Sequence, residues 1–126
     1  MYIFLDPDSD VPLFEQITRS VTLAIARGEL RPGDQLASVR ALATDFGINP
    51  ATVQKAYEQL RLDGLIRTSE KRKSVVAPRP ARPSAEREKR LSEELRALVA
   101  RGVAQGIDVD SMYRQLRATN ERTDLP

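Results

Sequence analysis

The sequence contains no cysteine and no histidine. Without cysteine there are no disulfides and no thiolate chemistry. Without histidine the commonest metal ligand and the commonest general base are both missing. Aromatic residues are scarce, with 3 Tyr and 3 Phe, so a core must be built mainly from Leu, Ile, Val and Ala. No apolar run approaches the roughly 20 residues that a bilayer span requires. The opening "MYIFLDPDSD" turns acidic too early for a secretory signal. A soluble, cytoplasmic protein is the expectation. An enzyme of this composition would depend on carboxylates, Ser, Tyr and Lys, and none of these cluster in a recognisable catalytic arrangement. Neither an enzymatic activity nor a cofactor is expected.

What is present is enough for a modest core: 126 residues, of which 40% are hydrophobic. That length predicts one domain with an appendage. The formal net charge is only +2, but it is distributed unevenly. Residues 1–66 carry a net −3, residues 67–90 a net +6 and residues 91–126 a net −1. Such a basic stretch is either a solvated loop and linker or an anion-binding edge, for which nucleic acid is the obvious polyanion.

Along the chain, "YIFLD" suits a short strand or an extended arm packing Tyr2 and Phe4 on one side. "DPDSD" is turn chemistry. Its Asp6, Asp8 and Asp10 alternate as at the start of a calcium loop. Val11 then stands where the loop needs glycine, and Ile17 where it needs a bidentate Glu, so no metal site is expected. A first helix is predicted over about residues 12–27, with Phe14, Ile17, Val21 and Ile25 as its buried stripe. A second follows Ser38, whose hydroxyl can cap it, with Leu42 and Phe46 facing inward. Gly47 supplies a turn needing positive φ. A third starts at Asn49, a good N-cap, with Pro50 in the first turn. Its apolar stripe is Val53, Ala56, Tyr57 and Leu60. "LIRTS" and "SVVA" then read as two β segments around the basic tip "EKRK".

The remainder begins with "PRPARP", a proline-stiffened linker over residues 78–84. A fourth helix is predicted over about residues 85–104, with Leu91, Leu95, Leu98 and Gly102 on one seam. Gly106 breaks it. Asp108 or Asp110 can cap a fifth helix whose apolar face is Val109, Met112, Tyr113 and Leu116. The tail "TNERTDLP" reads as frayed.

Two short helices joined through Gly47 and followed by a hairpin make a winged helix-turn-helix pattern. The fold class is therefore mostly α with a small β wing, plus a two-helix extension. In such a fold the third helix offers its first turns to the major groove. This accounts for a polar face without catalytic character. Gln54 can bond adenine bidentately, Thr52 can bond a base or pack on a thymine methyl, and Lys55 can reach a phosphate or guanine. The alternative is a winged helix that docks a protein and has no affinity for duplex.

The residues that carry these features also carry a resemblance. "PLFEQI", "ARGELRPGDQL", "ASVRALA", "FGINPATVQKAYEQL" and "DGLI" occur in one order over roughly residues 11–77. Together they strongly resemble the GntR-type bacterial transcription regulators, and the short remainder resembles their YtrA-like branch. The resemblance implies a dimeric DNA-binding repressor whose C-terminal helices dimerise. It places DNA contacts on Ser38 and Arg40, on Asn49, Thr52, Gln54, Lys55 and Tyr57, and on the wing tip. Tyr57 is shared between core and contact, and Arg40 has Asp45 as a rival ion-pair partner. Where the family usually has Gly-x-Gly, this chain has Lys71, Arg72 and Lys73. That change predicts a wing gripping the DNA backbone instead of reading bases.

The expected organisation is thus a DNA-binding domain over 1–77, the linker 78–84 and a helical dimerisation region over 85–126. Helices this short cannot bury both stripes within one subunit, so Leu91, Leu95, Leu98, Gly102, Met112, Tyr113 and Leu116 are expected to meet a twofold mate. A homodimer on a palindromic double-stranded DNA operator follows. Repression is favoured because no surface for recruiting polymerase is evident. The 42 residues after the linker are too few for a separate pocketed domain. Any small-molecule effector would sit at the dimer interface or in the interdomain cleft.

Overall fold

The computed structural model describes residues 3–123, without the side chains of 121–123. The chain divides into two compact units, Met1–Arg79 and Pro80–Pro126.

The first unit begins with an irregular arm. Its expected packing is reversed: Ile3 is buried and Leu5 packs against the core, while Phe4 is 81% exposed. Tyr2 lies outside the described residues. The described arm residues form no strand, and one side chain holds the backbone where the arm turns. Gln16 accepts from the Asp6 N–H at 2.8 Å and donates to the carbonyls of Asp6 (2.9 Å) and Val11 (2.8 Å). Asp6 itself closes an Asx turn by accepting from the Asp8 N–H.

Helix α1 (Leu13–Ala26) buries Ile17, Val21 and Ala24. Phe14 and Ile25, expected on the same stripe, lie at its margin, partly buried. The next turn is closed by Asp34, which accepts from the Arg31 N–H at 2.8 Å. Helix α2 (Val39–Phe46) and helix α3 (Pro50–Leu62) follow. Gly47 joins them with φ 64°, a left-handed conformation that costs glycine little. Both α1 and α2 pack on α3. Ala43 is buried at 3% exposure, and its small side chain permits a close crossing. Ile17, Leu42, Val53, Ala56 and Leu60 are wholly buried around α3. Truncating a leucine there to alanine costs about 2–5 kcal/mol.

Strands β1 (Ile66–Thr68) and β2 (Ser74–Val76) pair antiparallel, with Ile66 opposite Val76, Arg67 opposite Val75 and Thr68 opposite Ser74. The free edge of β2 is covered by the segment before α2. Gly33 N–H donates to Val76 O, Val76 N–H to Asp34 O, and Leu36 N–H to Ser74 O, at 2.8–2.9 Å. The hairpin is therefore tied into the domain along the outer edge of β2.

The second unit contains α4 (Ala85–Ala104) and α5 (Val109–Thr123), which pack on each other. Ser84 caps α4 by accepting from the Arg87 N–H. Asp108, one of the two expected candidates, caps α5 by accepting from the Ser111 N–H at 2.7 Å. The tail departs from expectation, since α5 continues through Asn120 to Thr123. Residues 124–126 of the tail lie outside the described residues. Among the described residues, no helix is long and apolar enough to cross a membrane.

Candidate nucleic-acid interface

The surface of interest is built on helix starts. Ser38 accepts from the Ala41 N–H at 3.0 Å, and Asn49 accepts from the Ala51 N–H at 2.8 Å. Each side chain therefore satisfies a donor that α2 or α3 would otherwise leave free. Each also keeps a donor of its own, the Ser38 hydroxyl and the Asn49 amide. Arg40 projects from the first turn of α2, exposed. No ion pair joins it to Asp45 among the described residues.

The expected residues of α3 differ in their surroundings. Thr52 is half-buried in the first turn. Gln54 is exposed and donates to Glu58 at 3.2 Å, a long surface bond that a better partner can replace. Lys55 does not extend freely from α3: its ammonium stacks 3.9 Å from the centre of the Phe14 ring on α1. This cation–π contact couples two residues far apart in sequence, and no periodicity signals it. Tyr57, read as shared between core and contact, is only 1% exposed and lies in the core. Its ring belongs to the buried core, and its hydroxyl donates to Ala37 O at 2.6 Å, one residue before the α2 cap.

The wing tip is a tight turn closed from both ends by Ser69. Ser69 N–H donates to Lys73 O at 2.8 Å, Arg72 N–H donates to Ser69 O at 2.9 Å, and the Ser69 hydroxyl accepts from the Lys73 N–H at 3.1 Å. Arg72 takes φ 61°, the only positive φ at a non-glycine among the described residues. Lys71, Arg72 and Lys73 are all exposed, without ion-pair partners among the described residues. Sequence reasoning missed one further cation. Arg61, in the last turn of α3, donates from Nε to Thr68 at 3.2 Å and from Nη2 to Ser74 at 2.9 Å.

In the second unit, the seam residues do not share one environment. Leu91, Leu95, Leu98, Tyr113 and Leu116 are between 49% and 66% exposed. Gly102 is buried, and a Cβ built there would stand 3.0 Å from Met112 Cε. Gly102 and Met112 thus meet at the α4–α5 contact within one chain, with Met112 partly exposed.

Two short helices joined by a left-handed glycine, then a hairpin with a basic tip, define a winged helix-turn-helix. Residues 13–76 match the sequence profile of the bacterial regulatory proteins of the gntR family, and the chain belongs to that family. It is 31% identical to the HTH-type transcriptional repressor YtrA of Bacillus subtilis, over 91% of this chain and 89% of that protein. Among solved structures it is similar to YtrA from Sulfolobus acidocaldarius, a GntR-family transcription factor. There the identity is 35% and the TM-score 0.68, covering 82% of this chain and 99% of the other. The chain is also similar to AraR(DBD) in complex with operator ORX1, at 25% identity and TM-score 0.51, over 59% of this chain and 92% of that one. The chain is a transcription regulator of this family, whose members bind DNA, and it is not an enzyme.

Proposed function

We propose that this chain is a sequence-specific repressor that acts as a homodimer on a palindromic or near-palindromic operator. The carrying observation is the set of exposed, unpaired cations Arg40, Lys71, Arg72 and Lys73, at the start of α2 and on the wing tip. A phosphate backbone would neutralise them with release of counterions. Between these anchors, the first two turns of α3 would enter the major groove, with Gln54 and Thr52 reading base edges. Ser38 and Asn49 would add bonds from their spare donors. Lys55, steadied by Phe14, would serve a phosphate near the end of its reach.

Dimerisation would place two α3 helices on successive half-sites, the second binding at high effective concentration. The exposed leucines of α4 and the exposed Tyr113 and Leu116 of α5 support this reading, because a twofold mate is the simplest cover for them. The repressor role is supported by the name of the Bacillus subtilis relative. Action on chromosomal DNA would place the protein in the cytoplasm.

The test is equilibrium binding of the intact chain to a duplex of its own promoter region, at several salt concentrations and against random-sequence competitor. Selective, salt-dependent binding is expected. Equal affinity for both duplexes would refute sequence specificity. Binding to neither would favour the protein-docking alternative.

A further inference from the structure

The wing and the recognition helix are joined by more than the short turn between them. Thr68 and Ser74 face each other as the last paired residues of the hairpin before its tip. Arg61 reaches both hydroxyls at once, 3.2 Å to Thr68 on β1 and 2.9 Å to Ser74 on β2. A cation in the last turn of a helix is favoured by the helix dipole alone. The dipole does not, however, require a planar fork spread over both strands of a hairpin. A guanidinium suits that task because its donors have fixed directions, so that two bonds define an orientation as well as a distance. Arg61 is half-buried, and no carboxylate pairs with it among the described residues.

We infer that Arg61 is a positioning residue that fixes the wing relative to α3, so that Lys71, Arg72 and Lys73 meet DNA already ordered. This rests on the DNA-binding reading above. The segment before α2 tethers only β2 by backbone bonds, while β1 is three residues long and the tip is closed only by bonds within the turn. If the tip were loose, each docking event would have to order it, and affinity would fall. The number of phosphates finally neutralised would stay the same. The clamp therefore acts on affinity and leaves the salt dependence alone, whereas a direct phosphate contact by Arg61 would change both.

Two variants of the full chain separate these cases: Arg61→Gln, and the pair Thr68→Val with Ser74→Ala, which removes the acceptors and keeps the charge. Binding is measured on the promoter duplex across a salt series, in the native chain and in one with Lys71, Arg72 and Lys73 replaced by Ala. Amide relaxation at residues 71–73 is measured in the free protein. Both variants are expected to lose about tenfold in affinity, comparable to the cost of ordering about one residue. The slope of log K against log salt is expected to stay unchanged. Both effects should vanish in the wing-alanine chain, and the tip amides should become more mobile. A loss confined to Arg61→Gln, with a slope reduced by about 0.9, would mean that Arg61 touches a phosphate and would overturn the inference. So would a loss that persists undiminished without the wing cations. If the native chain binds no duplex, the DNA-binding reading itself fails, while the relaxation data still report whether the clamp orders the tip.

Discussion

The hydroxyl of Tyr57, on α3, donates across 2.6 Å to the carbonyl oxygen of Ala37, the residue that precedes the α2 cap. One partly buried bond thus ties the middle of α3 to the start of its neighbour. The ring supplies core volume, and the hydroxyl sets where Ser38 and Arg40 begin. Tyr57→Phe keeps the ring and leaves the carbonyl of Ala37 without this donor. A loss of about 1–2 kcal/mol in folding stability is expected, measured by denaturant unfolding. Operator affinity should fall with it. Unchanged stability would mean that water replaces the bond at no cost.

The strain at Arg72 gives a second prediction. Its left-handed backbone disfavours any side chain, by about 1–2 kcal/mol. Glycine removes that penalty but loses about 0.4–1 kcal/mol through the freer unfolded chain. Arg72→Gly should therefore leave folding stability unchanged or raise it slightly, while weakening DNA binding. Thermal unfolding beside a binding titration checks both halves. A clear loss of stability would show that the side chain holds the turn.

The wing as a whole should act through phosphates. Replacing Lys71, Arg72 and Lys73 together by Ala should weaken specific and non-specific binding by similar factors. If all three touch phosphates, the slope of log K against log salt should flatten by about 2–3 units. A selective loss of operator binding, with the slope intact, would make the wing a reader of bases.

Assembly should depend on the exposed leucines and not on the buried corner of the second unit. Leu95→Glu changes a half-exposed residue of α4 and leaves the Gly102–Met112 contact alone. Sedimentation at micromolar concentration should show a dimer for the native chain and a monomer for this variant. Operator affinity should drop by about a hundredfold or more as the linked second half-site is lost. A native chain that sediments as a monomer would remove the dimer from the account.

The helices and their caps were legible because each rests on local chemistry. Ser38, Asn49-Pro50 and Gly47 act within a few residues of their own position, and the apolar spacing of α1 and α3 reports the core directly. The N-terminal arm was not legible for the opposite reason. Residues 2–5 are apolar on both faces, so alternation cannot say whether Ile3 or Phe4 turns inward. The strand-like segment before α2 is short and polar, and only its bonds to Val76 and Ser74 identify it. Long side chains hid the rest. The reach of Lys55 to Phe14, of Arg61 to the hairpin and of Gln16 to the arm depends on tertiary placement. The approach of Gly102 to Met112 within one chain likewise depends on how α4 and α5 meet, which apolar spacing does not report.

Base reading by α3 is the central claim, and Gln54 tests it most directly. Its side chain is exposed, and its bond to Glu58 is long enough to be exchanged for a base. The measurement is competition binding of the native chain and Gln54→Ala against a set of single-base operator variants. The substitution is predicted to cost about 1–3 kcal/mol on the operator and to relax preference at one position in each half-site. An unchanged preference profile at every position would contradict the account.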